Sequence, residues 1–183
     1  MLDIKVTGIQ KAIRAINQSK ITLKDKMKIV VERLAEEGFA IARYAFQTAL
    51  YAGENDVVVN EPVWRDDNTI VITAEGNAVA FIEFGSGKFY EDYPTDIPGE
   101  ATDPSALGVV PHGEYGKKKG ASPPWTYVGE PGNVGMVIHE KSDGKSVVKT
   151  LGNPPARAMY QASIQIADKQ RAIEIAKEVF GND

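Results

Sequence analysis

The 183-residue sequence predicts one α+β domain, with an antiparallel sheet of about four or five strands packed against two long helices. Three observations carry this. Apolar residues recur by threes and fours over a long N-terminal stretch and again over the last thirty or so residues. Between them lie short β-branched runs separated by turn residues. Glycine and proline then concentrate in one block: residues 85–135 hold 10 of the 17 glycines and 7 of the 10 prolines, too many for a helix or a sheet interior.

The elements follow in order. Leu2, Ile4 and Val6 alternate with polar residues and suit a short strand or extended arm before Gly8. Ile9 to Asn17 places Ile9, Ala12, Ile13 and Ile16 on one helical face. A separate long helix is expected from Leu23 to about Tyr51, on a stripe of Met27, Val30, Val31, Leu34, Gly38, Ile41, Ala42, Ala45 and Ala49. Thr22 is its expected N-cap and Gly53 its stop, and Gly38 with the alanines lets a partner approach closely.

Val57 to Val59, Thr69 to Ala74 and Ala78 to Phe84 read as strands, the last two joined as a hairpin through Glu75-Gly76-Asn77. Asp66-Asp67-Asn68 forms the preceding turn. Residues 86–133 form a loop-rich insertion that carries aromatic residues and therefore contacts. Within it Trp125 and Tyr127, two apart, share a face of an extended segment. Val134 to His139 and Ser146 to Thr150 are two further strands around Ser142-Asp143-Gly144. Asn153 caps, and Pro154-Pro155 opens, a terminal helix reaching Phe180, with Met159, Ala162, Ile166, Ile173, Ala176 and Phe180 on one face.

Composition narrows the chemistry. The chain has no cysteine and two histidines, which excludes disulfides, thiolate metal sites and a cysteine nucleophile and disfavours a histidine-rich metal site. No apolar run approaches the ~20 residues of a membrane span, and Met1 to Lys20 lacks the apolar core of a signal peptide, so synthesis and residence in a reducing cytoplasm, or in particles assembled there, are expected. The formal net charge of −4 is split unevenly: residues 1–51 carry 9 basic and 5 acidic residues, residues 52–183 carry 12 and 20. The acids concentrate in 54–103, where 12 stand against Arg65 and Lys88. Such a split supplies a solvated surface or complementary faces for head-to-tail contact between identical copies.

Catalytic motifs are tested one by one. Gly85-Ser86-Gly87-Lys88 fails as a phosphate loop, because the required earlier glycine is Ile82 and the hydroxyl residue after lysine is Phe89. His112 and His139 could act as bases, but Ser86, Ser105 and Ser122 sit in no nucleophile elbow. Glu91, Asp92, Asp96, Glu100 and Asp103 do not have calcium-loop spacing. Glu83, near the end of an apolar run, could be a buried acid; more simply, it pairs with a neighbour or faces a subunit interface. No catalytic, cofactor or metal site is assigned. The candidate interface residues are Lys117, Lys118 and Lys119, able to touch phosphates, and Trp125 and Tyr127, able to anchor a contact.

The order of elements resembles the gene-product-ten-like neck proteins of long-tailed bacteriophages, also called head–tail connector or tail-completion proteins. The likeness rests on Ala78-Val79-Ala80-Phe81-Ile82-Glu83-Phe84-Gly85-Ser86-Gly87, which matches their Ala-x-(aromatic)-(Val/Ile)-Glu-(Phe/Tyr)-Gly-(Thr/Ser)-Gly strand. It rests also on Gly152-Asn153-Pro154-Pro155-Ala156-Arg157-Ala158-Met159-Tyr160-x-Ala162, which is similar to the segment leading into their terminal helix. The likeness spans roughly residues 9–178, with the insertion as its variable part. It departs at Ala49-Leu50-Tyr51-Ala52-Gly53, where the family often has an Ala-Pro-x-x-Thr-Gly turn.

The resemblance implies a non-enzymatic ring protein at the head–tail junction. Its partners are then copies of itself and adjacent head-connector and tail proteins, with DNA only as passing cargo, no membrane and no cofactor. It implies location in the virion, and in the host cytoplasm during assembly. The acids of 54–103 are expected to face the channel, where like charge keeps DNA from sticking. The alternatives are a minor tail or tail-terminator protein, a small hydrolase using His112 or His139, and a nucleic-acid binder working through the lysine triplet.

Overall fold

The computed structural model describes residues 9–89 and 124–181 and combines helices with small antiparallel sheets in an α+β arrangement. The expected Leu2–Val6 strand lies outside the described residues. The first element is α1, Ile9–Thr48, a single helix of 40 residues and ~60 Å. The expected boundary near Thr22 is absent because the hydroxyls there do not cap. Ser19 Oγ donates to Ala15 O at 2.9 Å and Thr22 Oγ1 to Gln18 O at 3.1 Å, both back along the same helix. The helix also ends before Gly53: Asn55 Nδ2 donates to Phe46 O and Asn133 Nδ2 to Ala49 O, so remote asparagines close its last turn.

The next segment is a hairpin in two ladders. β1 (Val58–Val59) pairs with β4 (Ala74–Glu75), and β2 (Val63–Trp64) with β3 (Ile70–Val71). Pro62, which has no N–H to donate, lies between the two ladders. The turn at Asp66 forms as expected, with Asp66 Oδ1 accepting from Asn68 N at 2.8 Å.

Residues 79–84 correct the sequence reading. They form a short helix, α2 (Val79–Phe84), and not the second strand of a hairpin. The Asp56 carboxylate accepts from the amides of Asn77 and Ala78 at 2.9 Å each and starts the helical turn. Ile82, Glu83 and Phe84 are all buried, so protein encloses adjacent positions alike and the run's periodicity could not separate strand from helix. A 3₁₀ turn, Gly87–Phe89, follows.

Beyond the insertion, β5 (Trp125–Val128), β6 (Met136–Glu140) and β7 (Ser146–Thr150) form a three-stranded antiparallel sheet in the order β5-β7-β6. The described strands therefore fall into one sheet of three and two pairs.

The terminal helix is divided. α3 (Ala158–Ile166) and α4 (Lys169–Phe180) are separated at Ala167-Asp168, where Asp168 is extended and its side chain accepts from Gln170 N at 2.9 Å. The break resets the helical phase. Ile175, absent from the expected face, is buried, while Ile173, placed on it, is exposed.

Two apolar clusters hold the elements on α1. Val30 and Leu34 pack with Ile175 and the end of α4. Phe46 and Ala49 pack with Ala78 and Ile82 of the α2 segment and with Ala158 of α3. Burial of Phe46 or Ile82 is worth ~1.5–3 kcal/mol each. Between the clusters, α3 crosses α1 at Gly38, where a Cβ would stand 2.5 Å from Ile166 Cδ1. The close approach expected at Gly38 is made. Arg171 ties α4 to α1, its Nε donating to Glu37 Oε1 at 2.9 Å while Gln165 Nε2 reaches Oε2 of the same carboxylate at 3.1 Å.

Candidate assembly surface

The two motifs that carry the family resemblance meet in one clasp. The last carbonyls of α2 have no partners within the helix. The other motif supplies them: Asn153 Nδ2 donates to Phe81 O at 2.8 Å, Ala156 N to Ile82 O at 2.7 Å and Arg157 N to Glu83 O at 3.2 Å. In return, the Glu83 carboxylate accepts from the first amides of α3, Met159 N at 2.9 Å and Tyr160 N at 3.1 Å. Each helix end thus satisfies the other, and the negative charge sits at the positive end of the α3 dipole. Glu83 is buried here, the reading that the sequence offered beside the simpler ones of a neighbouring partner or a subunit interface.

The Gly85-Ser86-Gly87 loop completes the clasp. Ser86 Oγ donates to Asn153 Oδ1 and accepts from Asn153 N at 3.2 Å, while Ser86 N donates to Asn153 O at 2.9 Å. Asn153 is buried and does not cap the terminal helix, which begins only at Ala158. Gly152 has φ +99°, and a Cβ there would collide with Ser86 O. Arg157, at φ 51°, is the one non-glycine residue with positive φ among the described residues. The double proline removes two donors just before Ala156 and Arg157, so the first free amides fall opposite the α2 carbonyls.

Trp125 and Tyr127 share the inward face of β5, as their spacing indicated. They line a cleft of about 320 Å³ with Tyr51, Phe81, Ser86 and Asn153. The Trp125 ring covers Gly87, where a Cβ would come within 2.7 Å of it. Tyr127 Oη donates to Glu130 O at 2.8 Å, and burial together with the nearby Glu130 charge pushes its phenol pKa up. Trp125 therefore packs the C-terminal end of the insertion onto the clasp, while the Tyr127 hydroxyl holds the turn that follows β5. Among the described residues every buried side-chain polar atom has a partner, so the polar wall of this cleft is committed inward.

The other residues singled out in the sequence do not converge on one site. Lys117, Lys118, Lys119, His112, Ser105, Ser122 and the acids Glu91, Asp92, Asp96, Glu100 and Asp103 lie outside the described residues. His139 is exposed on β6, and the Ser86 hydroxyl is bound into the clasp. The acids of 54–83 are put to several uses. Asp56 starts α2, Glu83 caps α3, and Asp67 meets Lys24 at 2.7 Å and Lys28 at 3.4 Å.

The features missed by the sequence reading are on the outside. All five residues of β6 are exposed, among them Met136, Val137 and Ile138, on an outer strand of the sheet. The first half of α1 projects with Ile13, Ile16, Leu23 and Met27 exposed. These two outward apolar surfaces are the candidate contact surfaces among the described residues. The signal for the second was present: the apolar stripe of α1 runs further than the twelve residues of α4 can cover.

Comparison of the chain with protein-family models, with curated proteins and with solved structures gives no match.

Proposed function

We propose that the chain is a non-enzymatic structural component of a phage or prophage particle, a neck or tail-completion protein that acts by ring assembly at the head–tail junction. The observation that carries this reading is the clasp. The two segments resembling the neck-protein motifs, some 70 residues apart in sequence, hold each other's helix ends. Their spacing and residue types follow from that reciprocal capping, with Glu83 as acceptor and Ala156 and Arg157 as donors. The exposed apolar faces of α1 and β6 are what a subunit of a larger assembly requires.

On this reading β6, an exposed outer strand of the three-stranded sheet, offers its free edge to a neighbouring chain. The partners are copies of the chain and the head-connector and tail proteins on either side, and DNA passes without being bound. The protein resides in the virion, and in the host cytoplasm before assembly. A minor tail or tail-terminator protein would use the same surfaces at a different level of the particle.

The test is genetic and microscopic. Deleting the coding sequence from the phage or prophage should leave filled heads and separate tails in negative-stain images, and peptides of the chain should be found in purified wild-type particles. Normal, infectious particles without the chain would refute the proposal.

A further inference from the structure

The projecting half of α1 is both apolar and basic. Ile13, Ile16, Leu23 and Met27 are 45%, 56%, 54% and 47% exposed. Their steps continue the stripe of Val30 and Leu34, which α4 covers. Residues 9–28 carry Lys11, Arg14, Lys20, Lys24, Lys26 and Lys28 against Asp25 alone. Lys24 and Lys28 turn back to Asp67, and Lys26 lies 5.6 Å from the centre of the Phe180 ring. Lys11, Arg14 and Lys20 stand exposed around the bare stripe. Most helical stability in proteins comes from packing an amphipathic face, and this face has no cover among the described residues.

The matching surface is on the same chain. A groove of about 390 Å³ has Phe39, Pro62, Trp64 and Ile70 as its apolar lining and Glu32, Glu36 and Glu61 as its acids. Trp64 Nε1 donates to Glu32 Oε1 at 2.8 Å, which keeps the indole in place.

We infer that the basic, apolar tip of α1 docks in this acidic groove on the next copy, head to tail. A chain cannot fill its own groove, because Glu32, Glu36 and Phe39 belong to the same continuous helix as the tip. Tip-to-tip pairing sets like charges together, whereas the groove offers the opposite sign. Each copy then gives one tip and receives one, the heterologous contact that closes into rings or runs on as filaments. The inference rests on the ring-assembly reading and names the surfaces that make the ring. Half the wall of a ~28 Å helix is on the order of 450 Å² per partner. The total of ~900 Å² is below the ~1,200–2,000 Å² of a stable pair, so one contact is weak and ring closure multiplies it.

The test is cross-linking of the full chain, which contains no cysteine. Asn17→Cys marks the tip and Val63→Cys the exposed side of β2 beside the groove residues Pro62 and Trp64, and the two variants are mixed with a bifunctional thiol cross-linker. A mixed dimer is expected, with far less product from either variant alone. Reversing the tip (Lys11→Glu, Arg14→Glu, Lys20→Glu) or the groove rim (Glu36→Lys, Glu61→Lys) should cut the mixed yield about tenfold. Joining a reversed tip on one chain to a reversed groove on the other should restore it. These positions are exposed, and circular dichroism checks that each variant keeps its helix content.

A dominant tip-to-tip product from the Asn17→Cys variant, indifference to the groove reversal, or no mixed dimer would each overturn the inference. Particles that contain the chain while the cross-link is absent overturn this contact alone. A persistent cross-link with normal particles lacking the chain overturns the neck reading alone.

Discussion

Glu83→Gln tests the clasp directly. The side chain is 3% exposed, and its two oxygens accept from Met159 N and Tyr160 N. Glutamine keeps one acceptor and turns an NH₂ donor toward the other amide. One charge-assisted hydrogen bond is lost, worth ~1.5–3 kcal/mol, and a buried amide is left facing a donor. Removing the charge from the start of α3 takes away a further ~0.3–1 kcal/mol. The expected loss is about 2–4 kcal/mol, a large part of the ~5–15 kcal/mol of a typical domain. With a urea slope of ~2 kcal/mol per molar, the midpoint should fall by about 1–2 M. Amide exchange read by NMR should quicken at Met159 and Tyr160. Glu140→Gln, on the exposed strand β6, is the control and should shift the midpoint by less than ~0.3 M. A Glu83→Gln midpoint within ~0.3 M of wild type, with the two amides still protected, would refute the capping argument.

Other outcomes follow from the same contacts. Gly152→Ala forces a side chain onto a backbone at φ +99° and against Ser86 O, and should cost about 3 kcal/mol or more by urea unfolding. Arg171→Lys keeps the charge but loses the paired Nε and Nη contacts to Glu37 and the Nη1 contact to Glu174 at 3.1 Å. For this half-exposed pair a fall of about 0.5–1 kcal/mol is expected, smaller in 1 M salt, and no change at either salt concentration would count against it. Hydrogen bonds from the Asn77 and Ala78 amides hold the Asp56 carboxyl below its ordinary 3.8, and the Arg171 guanidinium holds Glu37 below 4.5. Both folded values are depressed, so their stabilisation is complete above about pH 5 and is lost as pH falls below about 4. The thermal midpoint should drop steeply there, and less steeply in Asp56→Asn.

The sequence was most legible where one face is wet and the other dry. Ser146–Thr150 is a strand as expected, and Trp125 and Tyr127 share the inward face that their spacing indicates. Residues 78–84 are surrounded by protein, and the residue that starts their helix, Asp56, lies 22 positions upstream of Ala78. Local pattern carries no trace of that bond. The α3/α4 break was written in Asp168, a good N-cap, but the apolar spacing across it still fits one unbroken helix. Phe46 was missed because the burying surface of α1 rotates along its length, from α4 to the α2 segment and α3, and a single straight stripe cannot follow it. Of the candidate site, the motif residues were legible as motifs, while their joint role emerges only once Glu83 and Asn153 are side by side.

The clasp also insulates the domain from its own insertion. Ser86 and Asn153 are fastened to each other, and Phe89 and Pro124 line one cavity with Leu50, Met136 and Leu151, so the chain leaves and rejoins the domain at nearly one place. A loop anchored in this way can be lengthened cheaply, since each doubling costs only ~0.6 kcal/mol in closure entropy. The stretch between residues 90 and 123 can therefore be exchanged for others of different size and chemistry while the hydrogen bonds of the clasp stay in register. For the protein engineer the same stretch is a grafting port, through which a tag or binding module can be introduced.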